Sequence, residues 1–205
     1  MAATQTLNER FNGSGIPATF VDYADAGFSV TVTGGYLNLT SATSGPAACG
    51  LESLADYEFV NTFAMCEIPD VAGISGQLMT LSSPYIYKSG DDTYAVYWRV
   101  DNDGLIRAVK RIAGVETSLG SVSVGASAQF LMVQNDNGTI RYLYSATGIP
   151  GSWTEAANVA ASSLGFDMGD VKQGCQLFVS GAVSATTVKI RNWNITGIPV
   201  GWTVG

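Results

Sequence analysis

The sequence predicts an all-β protein, built as a two-sheet antiparallel β-sandwich that occupies residues 1–205 as a single domain. Short segments of alternating apolar and polar residues recur along the chain, and turn residues such as Gly, Asn and Asp separate them. Only one short segment has helical character, and no linker or block of like charge divides the chain. About a dozen strands in this arrangement are typical of a sandwich.

The clearest element is a hairpin over residues 92–112, which we place at the centre of the fold. Because side chains alternate across a strand, its first strand presents two sets. The inward set is Tyr94, Val96, Trp98 and Val100, and the outward set is Thr93, Ala95, Tyr97 and Arg99. This pattern indicates a half-buried strand. The Asp-Asn-Asp-Gly sequence at 101–104 is typical of a tight turn, and residues 105–112 then run back.

Two further hairpins are marked by their turns. Residues 28–33 alternate apolar with Ser or Thr up to Gly34-Gly35, and residues 36–40 return. Residues 128–134 and 139–145 flank an Asn-Asp-Asn-Gly turn at 135–138, and Ala113-Gly114 turns the chain after the central hairpin. Additional strands are predicted at 76–83, 115–119, 175–180 and 186–195.

The remaining segments are less distinct. Residues 57–68, YEFVNTFAMCEI, are apolar on both alternate faces, as in a central strand covered on both sides. A helix of this length is the competing interpretation, and the aromatic and β-branched content favours the strand. Residues 9–12 form a candidate edge strand, 13–27 a loop and 156–164 a short Ala-rich helical turn, while 50–56 stay ambiguous.

Charge and composition exclude several classes of function. The formal net charge of −7 argues against DNA or RNA, which require clustered Lys and Arg. The chain has no His, which removes the most common general base, every Ser-His-Asp or Cys-His site and the usual zinc ligand. The first residues lack the regions of a signal peptide, and no apolar run is long enough to span a membrane. We therefore expect a soluble chain made in the cytoplasm.

The three cysteines are Cys49, Cys66 and Cys175, with no CxxC spacing. At least one of an odd number is unpaired within the chain. Buried free thiols are the favoured interpretation over a redox or metal site.

Four short stretches occur in an order and spacing found in one known superfamily: ERFNG at 9–13, GGYLNLT at 34–40, RYLYSATGIPGSW at 141–153 and VKIRNWNITG at 188–197. They resemble the edges of the concanavalin A-like lectin and glucanase superfamily, including its laminin-G-like members. The resemblance spans nearly the whole chain. It implies a jelly roll of two curved antiparallel sheets, with roughly six strands each and a concave face that often holds carbohydrate.

Catalytic members of the superfamily carry a Glu-x-Asp-x-x-Glu strand, whose two glutamates act as nucleophile and acid/base. That pattern does not occur in this sequence. The nearest grouping is Glu52, Asp56 and Glu58, in which Asp56 and Glu58 share a strand face but no third acid lies at the right spacing. We therefore expect no catalytic residues and no enzyme, although two well-placed acids of another kind would suffice for glycoside hydrolysis.

Calcium commonly supports lectin members of this fold, and carboxylate oxygens suit it. Four acidic groups are available: Asp22 with Asp25, Asp91 with Asp92, Asp101 with Asp103, and Asp167 with Asp170. None forms a recognisable calcium loop, and Asp at a hairpin tip has a turn role. We predict no cofactor and no metal ligand, with Ca²⁺ as the one ion to test.

Sugar binding requires exposed aromatic rings beside hydrogen-bonding groups. Tyr97 and Arg99 share the outward face of the central hairpin, Arg107 and Arg111 lie on the paired strand, and Trp193 follows near the end. We predict carbohydrate binding at Tyr97, Arg99, Arg107 and Trp193. The alternative is that both aromatic rings are half-buried, covered by the aliphatic stems of Arg.

Two classes of function remain. The first is a non-catalytic structural or attachment protein of a bacteriophage particle, such as a capsid decoration or fibre protein. Such a protein would be located in the virion, contact other virion proteins, form a homo-oligomer and bind surface polysaccharide. Low charge and abundant Gly, Ser, Thr and Ala favour this class. The second class is a free-standing glycan-binding module, and a glycoside hydrolase is less favoured than either.

Overall fold

The structure, a computed structural model, describes residues 2–41, 44–70, 72–125 and 128–194. Within these ranges it contains sixteen strands and isolated turns of 3₁₀-helix, which confirms the all-β prediction. The strands form two layers that enclose one large apolar core.

The first layer is a single hydrogen-bonded sheet. Its strands are β1 (Ala2–Ala3), β2 (Phe20–Ala24), β5 (Ala47–Ser53), β6 (Tyr57–Glu58), β8 (Met79–Lys88), β9 (Asp91–Val100), β10 (Leu105–Ile112), β11 (Val115–Ser123) and β15 (Val171–Val179). From one edge to the other the order is β2-β5-β15-β8-β9-β10-β11. At its first residue, Val171, strand β15 pairs with β6 instead of β5, and β6 in turn pairs with β1. Every neighbouring pair is antiparallel apart from β1 with β6.

The second layer has two parts. One is β14 (Thr154–Ala160), β13 (Thr139–Ser145), β12 (Phe130–Asp136) and β7 (Thr62–Glu67), in that order. The other is β16 (Thr187–Ile190), β4 (Tyr36–Thr40) and β3 (Ser29–Thr33). Glu67 and Arg191 join the parts by two backbone hydrogen bonds of 2.9 and 3.0 Å.

Trp98 shows how the layers are held together. Its ring is fully buried and meets Tyr142 of the second layer edge to face, with centroids 5.6 Å apart. The indole Nε1 donates a hydrogen bond of 2.8 Å to the carbonyl oxygen of Met132. Val96 and Val100 lie beside it in the core, which confirms three of the four residues of the predicted inward set, while Tyr94 near the start of the strand is only partly buried.

The outward face of β9 differs from the prediction. Ala95 and Tyr97 are also fully buried, so the strand is covered on both sides rather than half-buried. A second apolar cluster covers them. It consists of Tyr85, Tyr87, Ala95, Tyr97 and Val109.

The predicted strand over residues 57–68 is in fact two strands in different layers. Asn61, between β6 and β7, has φ 49°, a left-handed conformation that Asn tolerates better than most residues. Phe59, before this break, is fully buried and donates its backbone N–H to Met168. The chain thus crosses from one sheet to the other between these strands. Because the residues before and after the crossing are apolar, the sequence pattern does not reveal it.

Three other segments also differ from expectation. The loop predicted at 13–27 contains β2, and the edge strand predicted at 9–12 is reduced to a bridge between Glu9 and Trp193. The helical turn predicted at 156–164 is mainly β14, because pairing with β13 overrides the helix propensity of Ala, and only Ala161–Ser163 form a 3₁₀ turn. The end of the strand predicted at 186–195 lies outside the described residues, and the single domain over 1–205 stays a prediction.

Cys49, Cys66 and Cys175 are free and buried, as predicted. None of the described segments is a helix with the length and hydropathy needed to cross a lipid bilayer.

Candidate functional site

The candidate site lies on the face of the first layer that points away from the core, which we call the cleft face. Cross-strand register places one row of residues straight across six strands. The row runs Tyr23, Gly50, Gln176, Ser82, Arg99 and Arg107. Because the residues of a row belong to strands about 4.8 Å apart, they form a surface wide enough for several sugar units.

Three tyrosines form the floor beside this row. The ring centroid of Tyr85 lies 5.3 Å from that of Tyr87 and 4.9 Å from that of Tyr97, within the range of favourable aromatic contacts. All three are buried. The floor is therefore rigid and apolar, with the phenol groups as its polar points.

Each end of the floor has a glutamate as acceptor. The Tyr87 hydroxyl donates to Glu52, and the Tyr97 hydroxyl donates to Glu116. Burial, and secondly the hydrogen bond to a carboxylate that favours the neutral phenol, raise the pKa of Tyr87 and of Tyr97 well above the usual range. Burial also raises the pKa of Tyr85, to about 12. These phenols stay protonated and act as hydrogen-bond donors at neutral pH.

Glu116 also joins two arginines. Its carboxylate accepts from Arg111 Nη2 at 2.6 Å and from Arg99 Nη1. Burial raises the pKa of Glu116, but the hydrogen bond from Tyr97 and the two guanidinium groups outweigh it and hold that pKa below its usual value. Arg111 lies over the rings of Tyr85 and Tyr97, at 5.9 and 5.4 Å from their centroids.

Two clefts open on this face and meet at Gln176, which lines both. The first, about 430 Å³, is lined by Tyr23, Glu52 and the floor residues Tyr85 and Tyr87. The second, about 530 Å³, is lined by the polar residues Arg99, Arg111, Glu116 and Ser82 and by the ring of Phe178. Tyr23 and Phe178 are each 38% exposed, which makes them the accessible aromatic rings next to Gln176.

The structure brings together three of the four predicted site residues. Arg99 lines the second cleft, and Tyr97 lies beneath it, fully buried under Arg111. The Tyr97 ring is therefore no stacking surface, and the alternative of an aromatic ring covered by Arg applies. Arg107 lies on the same face, but its guanidinium pairs with Asp101 and Asp103 at the hairpin tip.

Trp193 is the predicted site residue that the structure places elsewhere. It is fully buried, its ring meets Phe20 edge to face at 6.2 Å, and its Nε1 donates to Gln173 Oε1 at 3.2 Å. It follows β16 in the second layer and packs into the core, so its ring is not accessible to a sugar. This burial argues against the predicted binding role of Trp193.

Sequence reasoning missed Tyr23, Phe178, Gln176 and Glu116. The sequence hides Tyr23, because residues 13–27 have the pattern of a loop where the structure has β2. Phe178 and Gln176 had a usable signal, since Leu177 and Val179 alternate with them and are fully buried in the core. The sequence also contains a signal for Glu116, because the Ala113-Gly114 turn places it opposite Arg111.

The carboxylates of the two clefts both bond to the tyrosine floor. Glu52 lies on β5 and Glu116 on β11, but their side chains reach inward to the hydroxyls of Tyr87 on β8 and Tyr97 on β9, which are neighbouring strands. Both carboxylates are thus engaged as acceptors within the chain. Asp91 and Asp92 line the same cleft as Glu52, but Asp91 is held by Lys88 at 3.1 Å and by Thr93.

The acidic groups weighed as calcium ligands act in turns and ion pairs. Asp25 accepts the Ala48 N–H at 2.8 Å, Asp103 accepts the Leu105 N–H at 3.1 Å, and Asp167 accepts the Gly169 N–H at 2.8 Å. In the part of the chain that the structure describes, no group of three or more Cys, Asp or Glu side chains is arranged to hold a metal ion. Calcium binding itself stays untested.

Neither a model of a known protein family nor a curated protein sequence matches the chain. Solved structures match in shape. A family 16 glycoside hydrolase endo-glucanase from Bacteroides ovatus superposes with a TM-score of 0.62 at 12% identity, over 90% of this chain and 96% of the glucanase. The carbohydrate recognition domain of Emp47p superposes with a TM-score of 0.57 at 14% identity, over 89% of this chain and 92% of that domain.

A mutant of the GH43 protein BlXynB from Bacillus licheniformis gives a TM-score of 0.60 at 14% identity. The match covers 91% of this chain, which spans only 38% of the length of that protein. At these identities the likeness establishes the fold alone. The fold is a concanavalin A-like jelly-roll sandwich, as the resemblance in the sequence implied.

Proposed function

We propose that the protein is a glycan-binding module that holds a carbohydrate chain on the cleft face without cleaving it. The observation that carries this proposal is the position of Tyr23 and Phe178, two partly exposed aromatic rings near Gln176: Tyr23 lines the first cleft with Gln176, and Phe178 lines the second cleft with it. Sugar rings have apolar faces that pack on aromatic rings and hydroxyl groups that need hydrogen-bond partners. The cleft face offers both kinds of contact side by side.

The polar groups of the cleft face support the same proposal. Gln176 provides an amide, Ser82 a hydroxyl, and Arg99 the N–H groups of its guanidinium. The buried tyrosine floor holds Arg111 in place from below, so this part of the binding surface is formed before the ligand arrives. A lectin domain and a glucanase with the same fold add support by analogy of fold only.

The absence of cleavage is part of the proposal and rests on the carboxylates. Glu52 accepts the Tyr87 hydroxyl, and Glu116 accepts the Tyr97 hydroxyl and pairs with two arginines, so both carboxylates are engaged within the chain. The pKa of Glu116 is lowered, whereas a general acid needs a raised one. Glu52 and Asp92, which share the first cleft, are the remaining pair to test.

The test is a glycan array followed by calorimetric titration of the best ligand. We expect Tyr23→Ala and Gln176→Ala each to weaken binding by about tenfold, which corresponds to about 1.4 kcal/mol. Ile149→Ala, at an exposed residue outside both clefts, is the matched control. Binding that is unchanged in both cleft variants would overturn the proposed site.

Cleavage is tested in the same samples by incubating the bound glycan with the protein and measuring newly formed reducing ends. We expect none. Release of reducing ends that stops in Glu52→Gln or Asp92→Asn would establish a glycosidase instead.

None of the three structures named above is a phage protein. Attachment to a phage particle, location in the virion and homo-oligomer formation therefore stay predictions from the sequence. Size-exclusion chromatography with light scattering measures the oligomeric state directly.

A further inference from the structure

Glu116 occupies a position between two guanidinium groups on the cleft face. One carboxylate oxygen accepts hydrogen bonds from Arg111 Nη2 and the Tyr97 hydroxyl, and the other accepts from Arg99 Nη1. The side chains of Arg99 and Arg111 are 25% and 22% exposed, so a ligand in the second cleft can reach them. All three partners of the carboxylate lie on neighbouring strands of the first layer.

Two arginines that converge on one carboxylate are an arrangement that also binds carboxylate, sulfate or phosphate groups of a ligand. In this protein the anion is supplied by the chain itself. The position that an acidic sugar would use is therefore already filled by Glu116.

The charges around Glu116 are balanced. Arg99 also lies 2.8 Å from Asp101 through its Nε, and Arg107 pairs with Asp101 and Asp103. The cluster contains three arginines and three carboxylates, so its formal charge is zero. They are Arg99, Arg107, Arg111, Asp101, Asp103 and Glu116.

The arginines have supports that do not depend on Glu116. Arg111 donates to the Tyr85 hydroxyl at 3.0 Å and to the carbonyl oxygen of Asp92 at 3.3 Å, and it lies over two tyrosine rings. Arg99 has its contact with Asp101. Both guanidinium groups would therefore remain on the cleft face if the Glu116 carboxylate were removed.

We propose that Glu116 is a specificity-determining residue, an internal anion that makes the cleft face select uncharged glycans and reject acidic ones. The inference rests on the proposed function for its ligand class. Its physical basis is the filled position between Arg99 and Arg111, together with like-charge repulsion of an acidic sugar by Glu116 itself.

The experiment compares the whole protein with its Glu116→Gln variant, which keeps the shape of the side chain and removes the charge. The probes are inorganic sulfate, a mannose oligosaccharide and the mannuronate oligosaccharide of the same linkage, measured by calorimetry. We expect Glu116→Gln to bind sulfate and mannuronate about 10- to 100-fold more tightly than the wild type does, the range of one charge-assisted hydrogen bond. Adding Arg111→Gln should remove that gain.

Glu155→Gln is the matched control. Glu155 pairs with Arg141 at 2.7 Å on the second layer, and Asp136 at 3.0 Å keeps that arginine paired when Glu155 is changed. This variant should bind sulfate as weakly as the wild type does.

Two results would overturn the inference. One is a folded Glu116→Gln variant, checked by circular dichroism, that binds sulfate no more tightly than the wild type. The other is a wild-type protein that binds mannuronate more tightly than mannose, a comparison that needs no variant. Failure of the wild type to bind any glycan on an array would overturn the proposed function, whereas the sulfate titration decides the role of Glu116 independently.

Discussion

The side chain of Tyr23 lies against the backbone of Gly50, at a place where position 50 has no room for a β-carbon. Such an atom would clash with the Tyr23 hydroxyl and with the carbonyl oxygen of Cys175. Gly50 stands between Tyr23 and Gln176 in the row across the cleft face. The missing side chain thus lets the exposed tyrosine extend over the sheet toward the first cleft.

Gly50→Ala should therefore affect both stability and binding. Overpacking at a site bounded by backbone should lower the free energy of unfolding by about 1–3 kcal/mol, and the displaced Tyr23 ring should weaken glycan binding as Tyr23→Ala does. Urea unfolding and calorimetric titration measure the two effects. Gly15→Ala, at a position with open space around it, is the control. Unchanged stability and binding in Gly50→Ala would contradict the close approach.

Tyr85 should make the protein sensitive to alkali. Burial raises its pKa from 10.0 to about 12, so its folded-state pKa lies above its unfolded one. The stability that this group contributes is complete below about pH 10 and is lost as the pH rises through about 12. Tyr85→Phe should reduce the pH-dependent loss of unfolding free energy in that window by about 2 kcal/mol. Urea unfolding at a series of alkaline pH values measures the slope, and identical slopes in both proteins would refute the assignment.

The sequence predicts the inward face of the fold better than its outward one. Trp98 and its neighbours follow from alternation alone, because a row of large apolar residues needs a core. Tyr97 faces outward as expected, yet it is buried, since alternation shows which way a side chain points and not what covers it. Its cover consists of Arg111 on β10 and Glu116 on β11, and the Ala113-Gly114 turn between these strands predicts their pairing but not what they cover.

Edge strands, and contacts between strands far apart in the chain, leave weaker signals in the sequence. Only Phe20 of β2 is buried, so this strand is defined by its backbone pairing with β5 rather than by a pattern of apolar residues. Gln176 and Phe178 become neighbours of Tyr23 only through that pairing. The candidate site therefore depends on contacts between distant parts of the chain, which a single sequence does not reveal.

The three thiols should be inert in the folded protein. Cys49, Cys66 and Cys175 are buried, and burial raises the pKa of Cys49 and of Cys66 to about 12. Because the thiolate is the reactive form, a thiol reagent at neutral pH should label none of them until the protein unfolds, and three afterwards. Labelling in native buffer and in denaturant, followed by mass spectrometry, counts the modified residues. Rapid labelling of any one in native buffer would contradict its burial.

Trp193 should matter for stability and not for glycan binding. Its ring fills the core against Phe20, and its indole N–H reaches Gln173 Oε1, which also accepts from Asn194. Trp193→Ala should lower the free energy of unfolding by about 3–5 kcal/mol through the cavity it leaves. Trp193→Phe keeps most of the packing and should have a smaller effect, about 1 kcal/mol of it from the lost hydrogen bond. Glycan affinity, titrated on folded Trp193→Phe, should match the wild type. A tenfold loss of affinity in this variant with its stability unchanged would instead place Trp193 in the binding site.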